Sequence, residues 1–290
     1  MEEIAPGVFV ATSPVYLTTT TVVAGTGGGC LVIDPALTAA ELAGLGTWLA
    51  AHGLRAAVGW STHPHWDHVL WAAALGAEVS RYATGRAVSQ AGTHRQEMIE
   101  EMADEAPGHD LDLFARLLPL PGRGDVLPWD GPEARVLAHD AHAPGHGAIY
   151  LPGPGALVAG DMLSDVEIPL LDLAGADAGG GGAEPDPFGA YRAGLGLLAA
   201  LGAANVRHIV PGHGHVGGAA DFRARVAADF RYLDVVEGGR DLSDPRLMAP
   251  EAGWLRAEHA RHRELARREL GGTPLAGAIW RRPALARREG

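Results

Sequence analysis

The stretch Thr62-His63-Pro64-His65-Trp66-Asp67-His68 constrains this chain more than any other. Four metal-capable side chains fall within six positions. Imidazole and carboxylate are the usual nitrogen and oxygen ligands of zinc and related divalent ions. The preceding residues, Leu54 to Ser61, read as a short apolar strand. The following residues, Val69 to Leu75, are apolar and Ala-rich and stop at Gly76, which predicts a helix. The motif therefore falls on a strand-to-helix turn. There His63 and His65 point one way, and Asp67 and His68 ride the first helical turn. That geometry suits two metal ions held side by side. Fourteen His in 290 residues make a chance pair unremarkable. Three His and an Asp in H-x-H-x-D-H order are far more specific.

The surrounding chain mixes strands and helices from the start. Val8 to Thr12, Tyr16 to Ala24 and Cys30 to Ile33 read as strands, rich in β-branched and aromatic residues. Thr38 with Glu41 is a capping box that opens a helix to about Ala51. Glu78 to Ala83 reads as a strand, and Thr84 to about Leu118 as helical, broken at Pro107-Gly108. His94 and His109 in that region have no motif around them and read as surface residues. Further strands are expected over Ala134 to Ala141, Ala148 to Leu151, Ala156 to Ala159 and Val206 to Val210. Asp186-Pro187 marks a helix start, and two more helices are expected over Ala219 to Val236 and Glu251 to Leu270. Leu171 to Asp186 is Gly-rich and reads as a mobile loop that closes over a site. Two strand-rich halves, each followed by helices, suit a sandwich.

H-x-H-x-D-H on a strand-to-helix turn resembles the signature of the metallo-β-lactamase-fold superfamily. The resemblance covers roughly residues 8 to 235. It implies an α/β (α+β) fold: an αββα sandwich of two mixed sheets flanked by helices. The catalytic domain would span residues 1–240, with 241–290 a helical extension packed on the same domain. It also implies further ligands. His142-Ala143-Pro144-Gly145-His146 resembles the family's third ligand motif. Placing the ligand on His142 leaves room for two hairpin strands before Asp161, whereas His146 leaves a tight interval. His142 is therefore the expected ligand and His146 a pocket or supporting residue. Asp161, in Val158-Ala159-Gly160-Asp161, resembles the metal-bridging carboxylate. His213, in Pro211-Gly212-His213, resembles the last ligand, with His215 the weaker competitor. One ion would be held by His63, His65 and His142, the other by Asp67, His68 and His213, with Asp161 between them. Asp34 resembles the family's Asp that orients a ligand imidazole. Trp66, inside the motif, is expected to line the pocket.

The resemblance implies a dinuclear metallohydrolase with two divalent ions, zinc by default and manganese or iron in the same ligand set. Asp67 and Asp161 would be its catalytic carboxylates. The bond cleaved would be an ester, thioester, lactone or related acyl bond of a small molecule. The alternatives are a β-lactam hydrolase, or a metal-binding protein of this fold without turnover. Here composition narrows the classes. A net charge of −12 argues against a nucleic-acid partner. All 23 basic residues are Arg, a bias that suggests a GC-rich bacterial genome and not a function. No apolar run is long enough to span a membrane. The acidic N-terminus lacks the apolar segment of a secretory signal, and the single cysteine, Cys30, fits a reducing compartment. A cytoplasmic protein without a membrane partner is expected, and a homodimer is allowed. Cys30 lies in an apolar run and reads as a buried structural thiol.

Overall fold

The N-terminal strands form one side of a seven-stranded sheet in the computed structural model, which describes residues 1–122, 124–173, 186–269 and 271. Its strands lie in chain order: β1 (Glu2–Ala5), β2 (Val8–Thr12), β3 (Thr19–Ala24), β4 (Gly29–Ile33), β5 (Arg55–Trp60), β6 (Arg81–Ala83) and β7 (Leu118–Pro119). β1 to β4 are antiparallel neighbours, and β4 to β7 run parallel. The second sheet has five strands: β8 (Arg135–His139), β9 (His146–Leu151), β10 (Ala156–Gly160), β11 (His208–Pro211) and β12 (Gly217–Gly218), in spatial order β12-β11-β10-β9-β8. Every residue of β9 and β10 is buried. Strands covered on both faces read as apolar runs, as β10 does throughout and β9 does after His146.

Three apolar layers follow from that patterning. Val10, Leu31, Val58 and Trp60 of the first sheet meet Ile149, Val158 and Val210 of the second. Outside the first sheet, Val22, Cys30 and Val32 pack against Leu42, Leu45 and Leu49 of α1 (Ala39–Ala51) and Met98 and Met102 of α3 (Arg95–Glu105), which follows α2 (Gly85–Thr93). Outside the second, Leu157 and Ile209 pack against α4 (Pro187–Ala199), α5 (Ala219–Glu237) and α6 (Gly253–Glu269). The order helix, sheet, sheet, helix is the expected αββα sandwich. Leu255 and Ala266 of α6 bury into the same layer as Tyr232 and Leu233 of α5.

The caps form as the sequence predicts. Thr38 and Glu41 make the reciprocal bonds that open α1, and Asp186 accepts from Gly189 N before Pro187 at the head of α4. Cys30 is buried, donates to the Arg55 carbonyl oxygen at 3.3 Å, and burial pushes its thiol up to about 12.

Two expectations are corrected. The stretch after the motif is not a helix: a 3-10 turn covers Trp66–His68, and a second covers Ala73–Leu75. Val69, Leu70 and Trp71 are all buried in succession. A helix on a core surface buries one stripe and exposes the other, so three consecutive buried residues oppose it. The helical reading of Thr84 to Leu118 holds only to Glu105, and Arg95 begins a second helix within it. Most of the Gly-rich loop (174–185) and residues 272–290 lie outside the described residues. Among the described residues, no helix is long and apolar enough to cross a membrane.

Candidate metal centre

The carboxyl ends of four strands deliver the site. β5 leads into His63, His65, Asp67 and His68; β8 leads to His142; β10 ends beside Asp161; β11 ends beside His213. β4 and β5 are parallel, with Ile33 opposite Trp60, so Asp34 lies next to the start of the motif. β10 and β11 are parallel with Gly160 opposite Pro211, which sets Asp161 beside His213. Clefts at the carboxyl ends of parallel strands are where such sheets place ligands. Asp34 and His142 both hold left-handed backbone, with φ of 46° and 63°. Such conformations cost of order 1–3 kcal/mol and cluster at functional sites.

All seven side chains expected as ligands come together. His63, His65, His142 and Asp161 offer ligand atoms within 4.8 Å of one another, as do Asp67, His68 and His213. Asp161 touches both groups. Its Oδ2 lies 3.5 Å from His63 Nε2, 3.4 Å from His142 Nε2 and 3.3 Å from His213 Nε2, while its Oδ1 lies 3.1 Å from His68 Nε2. His65 turns its Nδ1 inward, 3.1 Å from His63 Nε2 and 3.2 Å from His142 Nε2.

The outer ring nitrogens explain why the inner ones face each other. His68 Nδ1 donates to Asp34 Oδ2 at 3.0 Å, His142 Nδ1 to the Leu170 carbonyl at 3.1 Å, and His213 Nδ1 to the Tyr16 carbonyl at 3.0 Å. His63 Nδ1 donates to Thr62 Oγ1 at 3.0 Å, and that hydroxyl donates to Asp34 Oδ2 at 2.6 Å. With a proton on each Nδ1, the neutral rings direct Nε2 lone pairs at one another and at carboxylates. His68 Nε2 and His213 Nε2 stand 3.3 Å apart. Such an arrangement repels itself unless a cation lies within it, so the donor set fits divalent metal.

The field agrees. Burial pushes His68 down, but Asp161, Asp67 and Asp34 outweigh it and hold it up at about 10. His213 is raised well above its ordinary value in the same way: Asp161 and Glu167 overcome burial. His63 is held well below it by burial and by His68. A pocket that favours imidazolium at one end favours a metal cation in its place, with release of protons. Glycine makes room for this: a Cβ on Gly212 would come within 2.0 Å of Asp161 Oδ1. His65 alone among the seven is exposed, which marks the side open to solvent.

Asp34 holds the His68 imidazole and the Thr62 hydroxyl, and accepts from Thr62 N at 2.8 Å as well. His146 is not in the pocket. Fully buried, it stacks 5.1 Å behind His63 and 4.5 Å from His139, with both rings 13° from its plane, and neither of its ring nitrogens has a hydrogen-bond partner. The expectation for Trp66 is also corrected: 5% exposed, it packs in the core with Val69, Leu70 and Phe114. His215 is exposed and bonds Asp165, and His94 is exposed, while half-buried His109 bonds the Leu37 carbonyl. Sequence reasoning missed Glu167, whose buried carboxylate joins Asp161 and His213 within the same 4.8 Å span. No local motif announces it. It also missed His139 and the anchoring role of Thr62.

An αββα sandwich with His/Asp clusters sharing one carboxylate at its strand ends defines the metal-site class of the metallo-β-lactamase fold. A family model described as the metallo-beta-lactamase superfamily matches residues 14–213, and the chain belongs to that superfamily. The structure is similar to a metallo-beta-lactamase family protein of Thermus thermophilus, with 21% identity, a TM-score of 0.65, and 92% of this chain and 94% of that one covered. It is similar to the stereoselective inverting sec-alkylsulfatase Pisa1 from Pseudomonas sp., with 18% identity, a TM-score of 0.62, and 93% of this chain but 50% of that one covered. It also resembles a protein solved in a di-iron-bound form, with 25% identity, a TM-score of 0.51, and 75% of this chain and 98% of that one covered. A comparison with curated protein sequences found no match.

Proposed function

We propose that this protein is a dinuclear metal-dependent hydrolase that cleaves an ester, thioester, lactone or related acyl bond of a small molecule. The observation that carries this reading is the convergence of four Nε2 atoms, His65 Nδ1 and two carboxylates, each imidazole but His65 fixed from behind through its Nδ1. Two divalent ions held there would polarise a carbonyl and supply a nucleophile from water near neutral pH. His63, His65 and His142 would hold one ion, Asp67, His68 and His213 the other, with Asp161 shared between them. Zinc is the first candidate, and manganese or iron fit the same donors. Glu167 brings a third carboxylate to the second group, which shifts preference toward ions that favour oxygen. Asp67 accepts and returns the proton, because its carboxylate reaches the cluster beside His213. The exposed face of His65 is the side from which substrate enters, and catalytic sites keep such a side open.

The test is elemental analysis of protein purified without added metal, followed by a panel of acyl-CoA, lactone, ester, β-lactam and sec-alkyl sulfate substrates. About two ions per chain and turnover of an acyl substrate are expected. One ion per chain, unchanged by His68→Ala, would sink the dinuclear reading. Two ions with no turnover across the panel would favour a metal-binding protein.

A further inference from the structure

Residues 163–171, which run on from Asp161, are held from behind by parts of the chain beyond residue 213. Arg225 of α5 donates to the Leu163 carbonyl at 3.2 Å. Arg246 donates to the Ser164 carbonyl at 3.4 Å and the Glu167 carbonyl at 3.0 Å, and is itself paired with Asp229 and Asp244. The last tie differs in kind. The peptide unit joining Leu170 to Leu171 is engaged at both ends. Its carbonyl accepts from His142 Nδ1 at 3.1 Å, and its N–H donates to His262 Nε2 of α6 at 3.4 Å. A peptide unit is planar and rigid, so His142 and His262 grip opposite ends of one plate.

His262 is fully buried and fixed in turn. Because Nε2 accepts from Leu171, the proton lies on Nδ1, which donates to Tyr232 Oη at 2.8 Å. The Tyr232 hydroxyl then donates to His259 Nδ1 at 3.1 Å. Hydrogen bonds in such a chain polarise one another, and an amide whose N–H is bonded accepts more strongly at its carbonyl. A leucine would fill this position without the desolvation penalty of a buried imidazole. What leucine lacks is the acceptor for Leu171 N–H.

We infer that His262 is a positioning residue of the metal centre: through the Leu170–Leu171 peptide it fixes the His142 imidazole and so tightens the ion that His142 holds. The inference rests on His142 being a ligand. His262 lies outside the matched residues 14–213, so the brace is supplied by this chain's own C-terminal helix.

Chelator competition with Zn2+ or Co2+ on the full chain tests it, comparing His262→Leu, His262→Gln and His142→Ala. Both His262 variants lose the bond to Tyr232, but only glutamine keeps an acceptor for Leu171. His262→Leu should weaken one of the two ions by up to about 10-fold, the lower end of the effect of removing a direct partner of a ligand, and His262→Gln should recover most of that loss. Equal affinity in all His262 variants, or equal loss in both, overturns the brace. If His142→Ala keeps both ions, the ligand assignment fails instead. Should His262→Leu fail to fold, the 15N spectrum of histidine-labelled wild-type protein decides. His262 must be the Nδ1–H tautomer, and an Nε2–H tautomer overturns the inference.

Discussion

His68 Nδ1 and Asp34 Oδ2 stand 3.0 Å apart, both fully enclosed, although they follow different strands of the first sheet. Asp34 also accepts from the amide and hydroxyl of Thr62, and that hydroxyl accepts from His63. One carboxylate thus orients a ligand of each proposed ion. Asp34→Asn keeps the size but replaces an acceptor oxygen by a donor. Metal affinity at both ions should fall about 10- to 100-fold, read by chelator competition. An unchanged affinity would show that Thr62 and His68 are held by packing alone.

Gly212 gives a sharper test of Asp161. A methyl group there meets Asp161 Oδ1 at 2.0 Å and the Gly160 carbonyl carbon at 2.9 Å. Gly212→Ala should displace the carboxylate and lower metal content while far-UV circular dichroism stays that of the wild type. Full metal content in a folded variant would show that Asp161 has room to move.

Trp66 answers to stability and not to substrate. Buried against Leu70, Phe114 and Met98, it should cost about 3–5 kcal/mol on truncation to alanine. Denaturant unfolding of Trp66→Ala and of Trp66→Phe should give a large loss and a smaller one. The ratio of kcat/KM between esters of different acyl size should not move.

The C-terminal helix predicts an acid response. Burial, aided by His259 and Arg261, pushes His262 down to about 3 from an ordinary value near 6.5. It faces the Tyr232 hydroxyl on α5, the Leu171 amide and His259 on its own helix. A depressed pKa means that the neutral form's contribution is complete above pH 6.5 and is lost as pH falls toward 3. In metal-free protein, His262→Gln should therefore show a shallower fall in denaturant stability over that window than wild type. Identical slopes would place the acid sensitivity in the other buried histidines.

The seven side chains that converge were legible because they are carried by short local patterns at strand ends, and the sandwich because strands such as β4 and β10 read as apolar runs between turn signals. Asp34 was readable from its place after an inner strand. What escaped depends on contacts far apart in sequence. Glu167 reaches the cluster because its backbone is held by Ser164 and Arg246. Trp66 sits at a variable position of a metal motif, yet whether it faces the ions or the core depends on α3 and Phe114. The missing helix after His68 follows the same logic: three buried side chains in a row overrode a good local propensity.

The proposed ligands come from both sheets, four from the end of β5 and three from the ends of β8, β10 and β11. Between the sheets the chain is stitched nearby: Thr19 N donates to the Gly212 carbonyl and Gly214 N to the Leu17 carbonyl. Ions bound to that set would act as crosslinks between the halves, binding only when the halves are docked. Unfolding of the loaded protein should then be a single event for both sheets. Removal of the ions would leave the two sheets joined by apolar contact, those backbone bonds and side-chain bonds such as Thr19 Oγ1 to the Pro211 carbonyl and Trp60 Nε1 to the Gly147 carbonyl, so a chelator would act on this chain as a reagent that loosens one half from the other.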